Sequence, residues 1–169
     1  MLDSFEAHRE NVLPFTADML KVKGWVNYKH IRDGKVINEF NLPNLVVSVG
    51  KKRAADLLGG TNTPATMTAL AIGTGTNAAA AGDTALQTEI TTQGGQRHAA
   101  TVTNITTTTT GDTEQWQWTW TFTGSFAVTE EGILDNNASG GTLLARNTFS
   151  AVNVVSGDSL QVTHKIQFS

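Results

Sequence analysis

Four histidines, His8, His30, His98 and His164, are the side chains of this chain best suited to moving protons near neutral pH. A base activates a nucleophile only within hydrogen-bond reach. These four fall in separate predicted elements, and no Gly-x-Ser-x-Gly elbow accompanies them. His164 lies on the inward face of the last predicted strand, where a hydrogen-bonded buried or edge histidine is the expectation. Glycoside hydrolysis needs two carboxyls at a set separation. Glu130 and Glu131 are adjacent, so a strand would aim them at opposite faces. Asp83, Asp112, Asp135 and Asp158 sit in predicted turns, where Asp serves the backbone. Gly73-Thr74-Gly75-Thr76 lacks the Lys-Ser/Thr ending and following helix of a phosphate loop. Asp135-Asn136-Asn137 lacks the twelve-residue frame and closing Glu of a calcium loop. The expectation is a protein that is not an enzyme, with no catalytic residue, cofactor or metal site.

Aromatic side chains offer binding chemistry instead. Trp116, Trp118, Trp120 and Phe122 alternate with Gln115, Gln117, Thr119, Thr121 and Thr123. Strand geometry puts all four aromatics on one face, whereas a helix would scatter them. An exposed ladder of this kind is a stacking platform for sugars. A stripe so apolar is also an aggregation hazard unless covered, so it is predicted to lie in the core or at a subunit interface.

The elements around these residues are mainly strands. Val22, Gly24, Val26, Tyr28 and His30 alternate with Lys21, Lys23, Trp25, Asn27 and Lys29. Asp33-Gly34 signals a hairpin returning through Lys35 to Phe40, and Leu45 to Val49 is a short apolar run. Lys51 to Leu58 predicts a helix stopped by Gly59-Gly60, with Ala54, Leu57 and Leu58 packed on the sheet and Lys51, Lys52 and Arg53 solvated. Further strands are predicted over Ala69–Gly73, Thr84–Ile90, Ala100–Thr110, Leu143–Phe149 and Leu160–Phe168, with turns at Gly94-Gly95, Gly111-Asp112 and Ser156-Gly157-Asp158. Residues 1–19 carry Leu2, Phe5, Val12 and Leu13 near helical spacing until Pro14 ends the run. So short a helix is marginal alone, and it either packs on its own domain or reaches a neighbour as an arm. The expected fold is an antiparallel β-sandwich or jelly-roll-like barrel over residues 20–169, with one short internal helix and an N-terminal arm over residues 1–19.

Bulk composition narrows the partners. Charged residues are 16% of the 169, against roughly 25% in an average globular protein, so Thr, Asn, Gln, Ser and Gly must keep the chain hydrated. With a net charge of −3 and Lys51-Lys52-Arg53 as the densest basic run, no nucleic-acid partner is expected. The absence of cysteine excludes disulfides. No apolar stretch reaches membrane-span length and the first residues do not read as a signal peptide, so a soluble product made in the cytoplasm is expected.

Three segments together carry a resemblance. Asn44-Leu45-Val46-Val47-Ser48-Val49-Gly50-Lys51 runs into Ala54-Ala55-Asp56-Leu57-Leu58-Gly59-Gly60. Ala71-Ile72-Gly73-Thr74-Gly75-Thr76 leads to Ala81-Gly82-Asp83-Thr84-Ala85-Leu86. Thr129-Glu130-Glu131-Gly132-Ile133-Leu134-Asp135 precedes Ser139-Gly140-Gly141-Thr142-Leu143-Leu144-Ala145-Arg146. Over residues 44–169 this arrangement resembles small virion proteins of tailed bacteriophages, described as tail-fibre-like, minor structural or capsid-decorating. The resemblance implies a sheet-and-turn fold and a structural role in the virion, with synthesis in the bacterial host cytoplasm, and no catalytic residue to carry over.

Within that group the small size favours a capsid decoration, or cement, protein on the capsid exterior. It would bind the major capsid protein or other virion proteins as a homo-oligomer, a trimer or dimer. Leu2, Phe5, Val12, Leu13, Phe15, Trp25 and Tyr28 are the expected contact residues, and the hairpin over residues 20–43 belongs with the attachment region. The alternative is a short tail-fibre, knob or baseplate adaptor, for which a host glycan is the expected ligand.

Overall fold

The computed structural model describes residues 20–169, so the predicted arm, with Leu2, Phe5, Val12, Leu13 and Phe15, lies outside the described residues. The chain forms β1 (Val22–Arg32), β2 (Lys35–Pro43), β3 (Leu45–Val46), α1 (Ser48–Gly59), β4 (Ala69–Gly73), β5 (His98–Ala99), β6 (Thr101–Ile105), β7 (Thr113–Thr121), β8 (Phe126–Leu134), β9 (Leu143–Val154) and β10 (Ser159–Phe168). Two five-stranded antiparallel sheets result, ordered β2-β1-β10-β7-β6 and β3-β9-β8-β4-β5. They face each other as a sandwich, as expected; no strand is shared between them to close a barrel.

Period-2 patterning accounts for the first sheet. Val26 and Tyr28 of β1, Trp116 and Trp120 of β7, and Leu160, Val162 and Ile166 of β10 all point inward. Against them pack Leu70, Ile72, Val128, Ile133, Ala145, Val152 and Val154 of the second sheet. The β1–β2 hairpin turns at Asp33-Gly34, both with positive φ, as a two-residue turn between right-twisted strands demands.

The second sheet departs from simple alternation because both of its faces are covered. Behind it, Val47, Ala69, Ala71, Leu86, Leu134 and Leu143 form a smaller core beneath α1 and the long connection after β4. That explains why all five residues of β4 are buried.

Several expectations are corrected. The apolar run from Leu45 stops pairing after Val46, and Ser48 and Val49 open the helix. Gly50 then sits so close to β9 that an added Cβ would lie 2.1 Å from the Leu144 carbonyl oxygen. Docking through Gly50 rotates Leu57 and Leu58 off the sheet; Leu58 is 81% exposed. Arg53 is not simply solvated: it donates to Asp135 and to Thr142 Oγ1. Thr84–Ile90 is no strand, although Leu86 and Ile90 do face inward. Gly60 ends the helix in the left-handed region, as predicted.

Candidate functional site

Among the described residues, four groups of buried titratable side chains tie elements of the fold together. Glu130 is fully buried on the rear face of β8. Its Oε1 accepts the N–H groups of Gly75 at 3.0 Å and Thr88 at 2.7 Å; Oε2 accepts that of Gln87 at 2.9 Å. Arg146 of β9 donates to Oε2 from Nε at 2.9 Å and reaches Asp83 at 2.8 Å and the Asn77 carbonyl at 3.1 Å. One carboxylate thus supplies the backbone partners that the connection between β4 and β5, lacking a strand ladder, would otherwise miss. Gly75 permits the approach, since a Cβ there would lie 2.5 Å from Oε1.

Glu131 points the other way, into the space between the sheets, as adjacency on a strand requires. Its carboxylate contacts His164 Nδ1 at 2.9 and 3.1 Å, and both residues are wholly buried. His164 Nε2 meets Asn44, and Asn147 donates to the Tyr28 hydroxyl at 3.3 Å. Burial, with the Glu131 charge nearby, pushes the Tyr28 hydroxyl well above its ordinary pKa. These side chains bridge the sheets through the core. The expectation that Tyr28 touches a partner is therefore corrected: it faces inward because it shares the parity of Val26.

At the far end of β1, buried Asp158 accepts Arg32 Nε and Nη2, each at 2.7 Å, His30 Nε2 at 2.8 Å and the Val155 N–H at 2.9 Å. The Arg32 guanidinium, helped by His30 and that N–H, holds its carboxyl well below the usual range. Arg97 grips Glu89 at 2.9 and 2.5 Å and the carbonyls of Asn136 and Gly140. Among the described residues no cluster of three or more His, Asp or Glu side chains has metal-binding geometry.

Of the aromatic ladder, Trp116, Trp120 and Phe122 lie in the core, and the indole N–H groups of Trp116 and Trp120 donate to the Met67 and Gln96 carbonyls. Trp118 is only half-buried and stacks on His98 with centroids 4.5 Å apart. Trp25 is half-buried on the outer face of the first sheet, opposite Lys165 and Pro43.

Two surfaces offer contact chemistry. The first is the flank where β2 and the distal half of β9 run unpaired on their outer sides among the described residues, since β3 pairs only with Ala145 and Arg146. Between these edges a cleft of about 520 Å3 is lined by Phe40, Leu42 and Phe149 together with Asn38 and Thr148. Val36 and Ile37 at the hairpin tip are 52% and 51% exposed. The β1–β2 register shifts here, with His30 opposite Asn38 and Ile31 opposite Val36, so Ile37 is an extra residue in the ladder.

The second is an apolar groove of about 490 Å3 at the opposite end of the sandwich. Met67, Trp116, Leu144 and Ile166 form its buried floor. Its rim is Leu20, Val22, Leu57, Leu58, Val102 and Phe168, which leaves only Val36, Ile37 and Val155 as large exposed apolar side chains elsewhere among the described residues. Sequence patterning missed this groove because its lining comes from eight separate segments.

Fold and surfaces together define a two-sheet antiparallel β-sandwich whose accessible features are edges and apolar clefts. The chain matches no family model, no curated protein and no solved structure. Among the described residues no helix is long and apolar enough to cross a membrane.

Proposed function

We propose that this protein is a non-enzymatic structural protein of a tailed-phage particle, a capsid decoration protein that binds the assembled shell through its β2 flank. The observation that carries a contact role is that flank: two unpaired strand edges with an apolar cleft between them. An extended segment of the major capsid protein laid along β2 would gain main-chain hydrogen bonds from the edge and place alternate side chains against Phe40, Leu42 and Phe149. Lys35, Glu39 and Pro43 on the same strand are residues that discourage indiscriminate edge pairing, which favours one specific partner. The phage particle enters through the sequence resemblance of residues 44–169, and the small domain suits a protein used in many copies. Binding the shell but not its free subunits would stabilise it by mass action.

Copy number tests the location. In purified particles the protein should approach the abundance of the major shell subunit; a far lower number assigns it to the tail, where a short fibre or adaptor role takes its place. Ile37→Lys tests the surface. An exposed substitution of this kind changes stability by about 0.5 kcal/mol or less, so the variant should fold normally and lose shell attachment. Normal attachment by Ile37→Lys would remove the hairpin from the interface.

A further inference from the structure

The apolar groove at the helix end is a surface suited to an occupant with an apolar face. Exposed apolar side chains are concentrated on its rim, and a patch of that kind marks a contact surface. Leu20, the first described residue, is itself part of that rim, and the backbone of Lys21 is fixed beside it by paired hydrogen bonds to Ser169 at 2.6 and 2.8 Å. The described chain therefore begins at the groove.

The sequence of residues 1–19 suits the groove. A helix over residues 2–13, as the spacing predicts, would be ~18 Å long and would present Leu2, Phe5, Val12 and Leu13 on one side. Pro14 to Met19 can span at most ~20 Å, enough to fold back across the groove from Leu20. Charge matches as well: the segment carries Asp3, Glu6, Glu10 and Asp18 against one arginine, Arg9. Lys51 and Arg53 line the groove, Arg53 already paired with Asp135, with Glu114 as the opposing acid. A short tether raises the local concentration of such a segment to the millimolar range, which favours the groove of its own chain over that of a second copy.

We propose that residues 1–19 dock in this groove in cis, inserting the Leu2, Phe5, Val12 and Leu13 face between α1 and the ends of β1, β7 and β10. The docking is independent of the virion role and of the β2 flank, which lies elsewhere on the domain.

The chain has no cysteine, so Ser4→Cys carries a single nitroxide label on the full-length protein. Amide signals of Leu57, Leu58, Met67 and Val102 should be lost to paramagnetic broadening, while those of Lys35 and Val36 at the far hairpin persist. Adding Phe5→Asp and Leu13→Asp to the labelled chain should restore the groove signals. Unbroadened groove amides would overturn the proposal, as would broadening that survives the double substitution. A mixture of isotope-labelled chains without nitroxide and unlabelled chains carrying it should show no broadening; broadening there would mean exchange between copies and would overturn docking in cis.

Discussion

Glu130→Gln is the sharpest perturbation of the fold, because the side chain keeps its shape and loses its charge. Wild-type Oε1 accepts two backbone N–H groups, and Oε2 accepts a third together with Arg146. A glutamine can present an oxygen to only one of those sets. In one orientation its NH2 faces the Gln87 N–H and the guanidinium; in the other it faces the N–H groups of Gly75 and Thr88. Breaking a buried ion pair by removing one partner costs ~3–5 kcal/mol, and each buried N–H left unpaired costs ~1–3 kcal/mol. Arg146 retains Asp83 and the Asn77 carbonyl, which keeps the expected total to ~3–5 kcal/mol rather than the full sum. That is a large share of the ~5–15 kcal/mol typical of a domain. Urea unfolding measures the total, and native-state hydrogen exchange locates it. The amides of Gly75, Gln87 and Thr88 should exchange much faster, while Tyr28 and Val162 in the first sheet change only with global stability. A loss under ~1 kcal/mol with those three amides still protected would refute the reasoning.

Asp158→Asn should destabilise the protein at neutral pH, with the gap to wild type closing in acid. The folded-state carboxyl titrates below its unfolded value because of Arg32, so its stabilisation is present above pH ~3.9 and is lost as pH falls from there toward the folded value; urea midpoints measured across that range check the sign. His164→Leu should cost ~3–5 kcal/mol by leaving the Glu131 charge buried without its partner. Pairing it with Glu131→Leu should recover most of that loss in the same unfolding assay.

How much of this was legible in the sequence depended on whether a feature was local. The alternation of Trp116, Trp118 and Trp120, or of Leu160, Val162, His164 and Ile166, reports one strand with one dry face, and those strands stand where the pattern puts them. The second sheet hides its signal because it is covered on both faces: β4 reads Ala-Leu-Ala-Ile-Gly without a polar side. Adjacency placed Glu130 and Glu131 on opposite faces correctly, yet nothing local tells that both faces are buried. Their partners, Arg146 and His164, lie 16 and 33 residues away. Turn chemistry explained why Asp112 accepts N–H groups from Thr107, Thr108 and Thr109, but the same reasoning undervalued Asp158, whose Arg32 partner is 126 residues distant. The helix misled for a related reason. Its apolar residues suggested a docking face, whereas close approach through Gly50 decided the rotation.

The disposition of charge bears directly on the proposed contact role. In a chain poor in ionisable residues, Glu130, Glu131, Arg146, Arg97 and Asp158 are all nearly or wholly buried, each with a named partner. Such groups stabilise little more than an apolar replacement would, and a lone member would be strongly destabilising; their effect here is to fix one loop conformation and one spacing between sheets. A surface left with few organised charges has little long-range electrostatic steering to offer a partner. What remains for recognition is short-range: the unpaired main chain of β2, the cleft around Phe40 and Phe149, and the apolar rim at the helix end. Recognition by such features depends on the fit of main chain and apolar side chains rather than on charge, and the buried carboxylates and arginines contribute to it only by holding the domain in one arrangement.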